Sequence, residues 1–312
     1  MGEFDLIDRI TERLRTVSVG PQIVLGPGDD AAIVRCPTGS ELVSSIDTLI
    51  AERHFPAAAP AELVGERALR VAASDLVAMG AEPGFATVAL SLPEADAGWV
   101  ATFADGIARA AAALALPIVG GNLARGPLTI SVAVQGFVPV GRALCRSTAA
   151  IGDRVFLAAP VGGAAAALRT GALDVPVLEP LSPLLEAYFR PPVNFTWSPL
   201  LRGRASAAID VSDGLLQDLG HVLRASQLGA RLDSQLVPLV DGAGLADALG
   251  ASDDYTLCFT VPEAVATADL CAAGAVCIGE LVRDTGLWLD GERATPEGFN
   301  HFSDAVGERC PP

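Results

Sequence analysis

With 312 residues, the chain is long for one hydrophobic core and comfortable for two domains of about 150 residues each. Hydrophobic residues make up 51% and mean hydropathy is +0.42, which excludes global disorder, while 37 acidic against 21 basic residues leave a formal charge of −16 and speak against a general nucleic-acid surface. Lysine is absent, so all 21 Lys-or-Arg cations are arginine, and a lysine Schiff base or a phosphate loop ending in Gly-Lys is excluded.

In chain order, Phe4, Leu6, Ile7, Ile10 and Leu14 stand near helical spacing and predict an amphipathic helix over 3–15. The charges in the same segment do not read as a signal peptide. A short strand over 23–25 runs into the acidic turn Gly26-Pro27-Gly28-Asp29-Asp30. Residues 41–49 predict a strand, 61–79 a helix stopped by Gly80, 86–92 a strand, and 98–116 an alanine-rich helix ended by Pro117. A strand over 117–119 then leads to Gly120-Gly121-Asn122, read as a glycine turn. Leu128, Ile130, Val132 and Val134 alternate with Thr129, Ser131, Ala133 and Gln135, the pattern of a half-buried strand.

Pro139, Gly141 and Gly152 punctuate a basic patch of Arg142, Arg146 and Arg154, and divide the chain into domains 1–140 and 141–312. The second half predicts strands over 155–159, 207–211, 255–261 and 275–281, and helices from 164, near 178–189 and over 214–225. Strands mixed with helices in both halves make an α/β (α+β) protein. The six cysteines, Cys310 included, show neither C-x-x-C nor zinc spacing, and most, as Cys258 between Leu257 and Phe259, read as small core filler. The most apolar stretch, 107–121, is cut by Arg109 and Pro117 and is too short for a membrane span. A soluble, cytoplasmic chain without membrane or nucleic-acid partners is expected.

The placement of carboxylates is the unusual feature. Asp29-Asp30 follow a strand in a glycine turn, Asp47 ends the strand 41–49, and Asp75 lies inside an apolar helix. Asp210 and Asp213 flank Val211-Ser212 where a strand meets a helix. Each alone has an ordinary reading, Asp213 as a helix cap and Asp29 or Asp30 as turn residues. Together, carboxylates in apolar surroundings require partners or cations. Oxygen ligands without nearby Cys or His select a hard cation such as Mg²⁺, which in such sites serves phosphate substrates. The Gly-Gly turn offers amides to phosphate. His54 reads either as an exposed loop histidine or as a substrate ligand, His221 as structural, and His301 as either.

The motifs Gly28-Asp29-Asp30-Ala31, Ser45-Ile46-Asp47-Thr48, His54-Phe55 and Ser74-Asp75-Leu76 through Gly80-Ala81 resemble the thiamine-monophosphate kinase family. So do Gly120-Gly121-Asn122, Gly141-Arg142 through Arg146-Ser147, Ile209-Asp210-Val211-Ser212-Asp213-Gly214, Asp253-Asp254-Tyr255 and Gly298-Phe299-Asn300-His301-Phe302. The resemblance implies a two-domain fold shared with aminoimidazole ribonucleotide synthetase and selenophosphate synthetase, usually a homodimer. It also implies ATP-dependent phosphorylation of thiamine monophosphate to thiamine diphosphate. By residue-to-residue match it assigns several Mg²⁺ ions to Asp30, Ser45, Asp47, Asp75, Asn122, Asp210 and Asp213. Of these, Asp47, Asp75 and Asp210 are expected at the reacting phosphate. Gly121, Asn122, Arg146 and Ser212 are matched to ATP, and His54, Asp253 and Phe299 to thiamine monophosphate.

Family members commonly carry a hydroxyl residue where Ile46 stands, Asn where Ala72 stands, Asp where Asn122 stands, and Gly-Gly-Glu where Ala251-Ser252-Asp253 stand. These departures keep two alternatives open: a superfamily relative that uses ATP on another acceptor, and a nucleotide-binding protein without turnover. The acceptor that drives ATP consumption discriminates among them.

Overall fold

The computed structural model describes residues 2–174, 177, 179–296, 298 and 299. His301 and Cys310 lie outside the described residues. The chain divides into two units, one of residues 2–76 with 81–141, the other of 77–80 with 142–299.

In the first unit, α1 (Glu3–Leu14) precedes a small hairpin of β1 (Ile23–Leu25) and β2 (Ile33–Val34). Then come β3 (Ser40–Ile50), α2 (Ala61–Ala78), β4 (Glu82–Leu92), α3 (Ala97–Leu114), β5 (Ile118–Arg125) and β6 (Thr129–Pro139). The four longer strands form one sheet in the order β3-β6-β4-β5, with β4 and β5 parallel and the other pairs antiparallel. Alternation along β6 buries Ile130, Val132 and Val134, as its sequence pattern requires. Both long helices contribute apolar faces, with Val64, Leu69, Ala73 and Leu76 of α2 and Val100, Ile107 and Ala110 of α3 buried. Asp96 caps α3 by accepting from the N–H groups of Gly98 and Trp99 at 2.8 and 2.9 Å. The helix ends at Leu114, two residues before the predicted stop, because Ala115 turns left-handed at φ 51° and its N–H bonds back to the last turn.

One expectation is corrected here. Gly120-Gly121-Asn122 is not a turn but part of β5, which is an edge strand. A Cβ on Gly121 would lie 2.1 Å from the Val88 carbonyl oxygen, so glycine serves close strand approach rather than chain reversal.

The second unit contains β7 (Arg154–Leu157), α4 (Gly163–Arg169), α5 (Pro183–Phe189), α6 (Trp197–Leu201), β8 (Ala207–Val211) and α7 (Leu215–Ser226). It continues with β9 (Gly229–Leu232), α8 (Leu245–Leu249), β10 (Thr256–Val261), α9 (Ala268–Ala272), β11 (Val276–Val282), β12 (Gly286–Leu289) and β13 (Glu292–Ala294). Its seven strands order as β13-β12-β9-β11-β7-β10-β8, antiparallel except for β12 beside β9. Leu215, Leu219 and Val222 of α7 join Val155, Leu157, Ile209, Val211 and Ile278 in one core. Rings of Phe156 and Phe259 stack at 5.5 Å between centroids. Sheets and helices combined in this way give the expected α/β (α+β) class. Among the described residues, no helix is long and apolar enough to cross a membrane.

Candidate active site

In the first unit, Ser45 and Asp47 stand two apart on β3, so strand alternation turns both to the same face. There the Ser45 hydroxyl donates to Asp75 Oδ2 of α2 at 2.5 Å. Asp47 Oδ1 accepts the N–H of Thr48 at 2.8 Å. Ile46, between them, points to the opposite face and is 66% exposed. Asp30 lies exposed in the loop after β1, and its N–H donates to Asp29 Oδ1 at 2.8 Å. His54 is half-buried, and its Nδ1 accepts the Ile50 N–H at 3.0 Å, which puts the proton of the neutral ring on Nε2. Asn122 is exposed on β5.

The second unit gathers its site residues around the loop between β8 and α7. Asp210 is buried on β8. Beyond it, the N–H groups of Ser212, Asp213 and Gly214 all donate to Asp218 Oδ2, at 2.9, 2.9 and 3.0 Å. This one carboxylate therefore gathers three successive backbone donors of the loop that leads into α7. Burial pushes the Asp218 carboxyl up to about 7 despite those donors. Asp213 is not the helix cap; Gly214 holds that position and no side chain caps it. Instead, Asp213 Oδ2 accepts from Gln217 Nε2 at 3.2 Å, and the Asp213 carbonyl accepts the Phe299 N–H at 3.0 Å. Arg146 is exposed, and its carbonyl accepts from Ser226 Oγ at 2.9 Å.

Against the same loop lies the segment 253–255. Tyr255 N–H donates to the Val211 carbonyl at 2.7 Å. Asp253 and Tyr255 both have left-handed backbones, φ 58° and 53°, a conformation that non-glycine residues adopt at a cost of about 1–3 kcal/mol each. Between them, buried Asp254 accepts the Gly162 N–H through both oxygens, at 2.8 and 2.9 Å. Burial raises its carboxyl to about 7.

Among the described residues, no three or more His, Cys, Asp or Glu side chains form a group able to hold a metal. In the first unit the Ser45 hydroxyl and the Asp75 carboxylate are paired, with the Asp47 carboxylate on the same strand as Ser45. That donor set fits magnesium, which prefers oxygen and is commonly held by one or two carboxylates together with substrate phosphates.

Both units of the chain are similar to known proteins. A family model described as AIR synthase related protein, N-terminal domain, matches residues 28–138, and its C-terminal counterpart matches 150–289. The thiamine-monophosphate kinase of Escherichia coli (strain K12) is 39% identical over 323 residues, spanning 97% of this chain and 98% of that protein. The chain belongs to the thiamine-monophosphate kinase family. The solved thiamine-monophosphate kinase of Stenotrophomonas maltophilia K279a is 37% identical with a TM-score of 0.83, covering 94% of this chain and 98% of that one. AaThiL, solved with AMPPCP and TMP, is 28% identical with a TM-score of 0.77, covering 96% and 97%.

For this member of the thiamine-monophosphate kinase family, sequence reading missed Gln217, Asp218 and Asp254. Asp218 had a usable signal: it interrupts the apolar run Leu215, Leu216, Leu219 on a helix whose face is buried. Asp254 stands beside Asp253 and Tyr255 in its motif, and nothing else in the sequence singles it out. His221, read as structural, pairs with Arg224 through Nδ1 at 2.8 Å, and burial lowers its pKa.

Proposed function

We propose that this protein transfers the γ-phosphoryl group of ATP to the phosphate of thiamine monophosphate, giving thiamine diphosphate and ADP. The observation that carries this reading is similarity running through both units, over 97% of the chain, to a kinase of that name. An oxygen of the thiamine monophosphate phosphate attacks the γ-phosphorus, and the bond to the β,γ-bridging oxygen breaks as ADP leaves. That nucleophile is already ionised, so no strong general base is needed, and the work is positioning and charge stabilisation.

Ser45, Asp47, Asp75, Asp210 and Asp213, with Asp30 and Asn122, are the oxygen donors for magnesium. Magnesium, when bound, neutralises phosphate charge that a chain of formal charge −16 would otherwise repel. Arg146, Ser212, Gly121 and Asn122 are assigned to ATP. His54, Asp253 and Phe299 are assigned to thiamine monophosphate. The left-handed backbone at Asp253 supports a functional role, since strain of this kind gathers at ligand clamps. A homodimer is also proposed, supported by the uncovered face of β3, where Leu42, Ile46 and Ile50 are exposed.

The test is a magnesium-dependent assay with ATP and a panel of phosphorylated acceptors. Thiamine diphosphate formation with thiamine monophosphate is the expected result. ATP consumption with a different acceptor only, or nucleotide binding without turnover, would overturn it.

A further inference from the structure

The segment Gly298–Phe299 is tied to the β8–α7 loop by more than its own backbone. Phe299 N–H donates to the Asp213 carbonyl at 3.0 Å, and Gln217 Nε2 donates to the Phe299 carbonyl at 3.0 Å and to Asp213 Oδ2 at 3.2 Å. A carbonyl and a carboxylate can only accept, so the amide end of Gln217 must face both, and its orientation follows from its partners. Gly298 lets the segment come this close: a Cβ there would lie 2.5 Å from the Asp213 carbonyl oxygen and 2.7 Å from Gln217 Oε1. Gln217 itself is held in the first turn of α7, next to Asp218, whose carboxylate fixes the other side of the same loop.

We propose that Gln217 is a positioning residue for acceptor binding, a latch that holds Phe299 in register with Asp213. The inference rests on the reading given above, in which Phe299 meets thiamine monophosphate and Asp213 serves the metal. One side chain then connects the acceptor contact to the phosphate-binding loop, so that the acceptor's ring end and its phosphate are located by a common element. Losing the latch frees the Phe299 segment while Asp218 keeps the loop itself in place. The cost should therefore fall on acceptor binding rather than on nucleotide binding.

Gln217→Met keeps length and shape but removes the donor; Gly298→Ala keeps the Gln217 amide and forces the segment away from both Asp213 and Gln217. Both variants are compared with wild type by steady-state kinetics in each substrate, by thermal midpoint, and by amide exchange of the peptide containing Phe299. We expect KM for thiamine monophosphate to rise about fivefold or more in both, from the loss of a hydrogen bond and of register. KM for ATP should change less than twofold, and Phe299 exchange should accelerate at an unchanged thermal midpoint. Unchanged Phe299 exchange in Gln217→Met, or equal rises in both KM values, would overturn the latch. If wild type has no turnover with thiamine monophosphate while Phe299 exchange still accelerates in the variant, the latch stands and the assignment of the acceptor fails.

Discussion

At the scale of single residues, two buried aspartates of the second unit carry opposite duties. Asp210 is proposed to face metal and phosphate, so its charge matters more than its shape. Asp210→Asn should lower turnover about 10–100-fold while leaving the circular dichroism spectrum and thermal midpoint close to wild type. A variant that is active but unstable would return Asp210 to a structural role. Asp254 works on the fold instead, by holding the Gly162 N–H beside the strained pair Asp253 and Tyr255. Its carboxyl is raised from an ordinary 3.8 to about 7, chiefly by burial. Between those values the folded chain keeps a proton that the unfolded chain has released, so stability falls as pH rises from about 4 to about 7. Asp254→Asn is neutral throughout and retains one acceptor oxygen. Its thermal midpoint should therefore decline less between pH 5 and pH 8 than that of wild type, and parallel declines would show that Asp254 does not titrate in this window.

At the scale of elements, the sequence is most legible where periodicity is long. Strand β6, with its strict alternation, and helices α2 and α3, with continuous apolar faces, emerge within a few residues of expectation. Strands β9, β12 and β13 go unread: at four, four and three residues they are too short for a period, and Gly or Arg breaks the apolar run that makes the equally short β1 and β7 legible. The carboxylates at 75 and 210 stand out because charge is rare in apolar runs. Gln217 cannot be found that way, because its partner Phe299 is 82 residues distant and an exposed-looking glutamine carries no local signal. Gly120-Gly121 misleads for a different reason: glycine marks turns and close strand contacts alike. At Gly121 the close contact decides. Gly121→Ala would drive a methyl group onto the Val88 carbonyl and separate β5 from β4, costing about 1–3 kcal/mol. Chemical denaturation measures this, and an unchanged midpoint would mean that β5 shifts freely at the sheet edge.

At the scale of the molecule, charge distribution argues for a second copy of the chain. Charged residues are 19% of the sequence, yet one face of β3 presents Leu42, Ser44, Ile46, Thr48 and Ile50 with none. Their partners across the ladder on β6 are Phe137, Gln135, Ala133, Ser131 and Thr129, again uncharged. Ile46 is 66% and Leu42 55% exposed, an unfavourable display of apolar surface unless something covers it. For a chain of formal charge −16, like charge opposes association with its own kind, and an uncharged face adds least to that repulsion. In a two-fold dimer a residue near the axis meets its own counterpart, so one substitution acts twice. Ile46→Glu would bury two carboxylates against each other, and the dimer should give way to monomer in sedimentation velocity at micromolar protein. Because the side chain is exposed within one chain, the monomer's own fold and circular dichroism should be preserved. A wild-type protein that sediments as a monomer, or a variant that remains dimeric, would show that this face has another use.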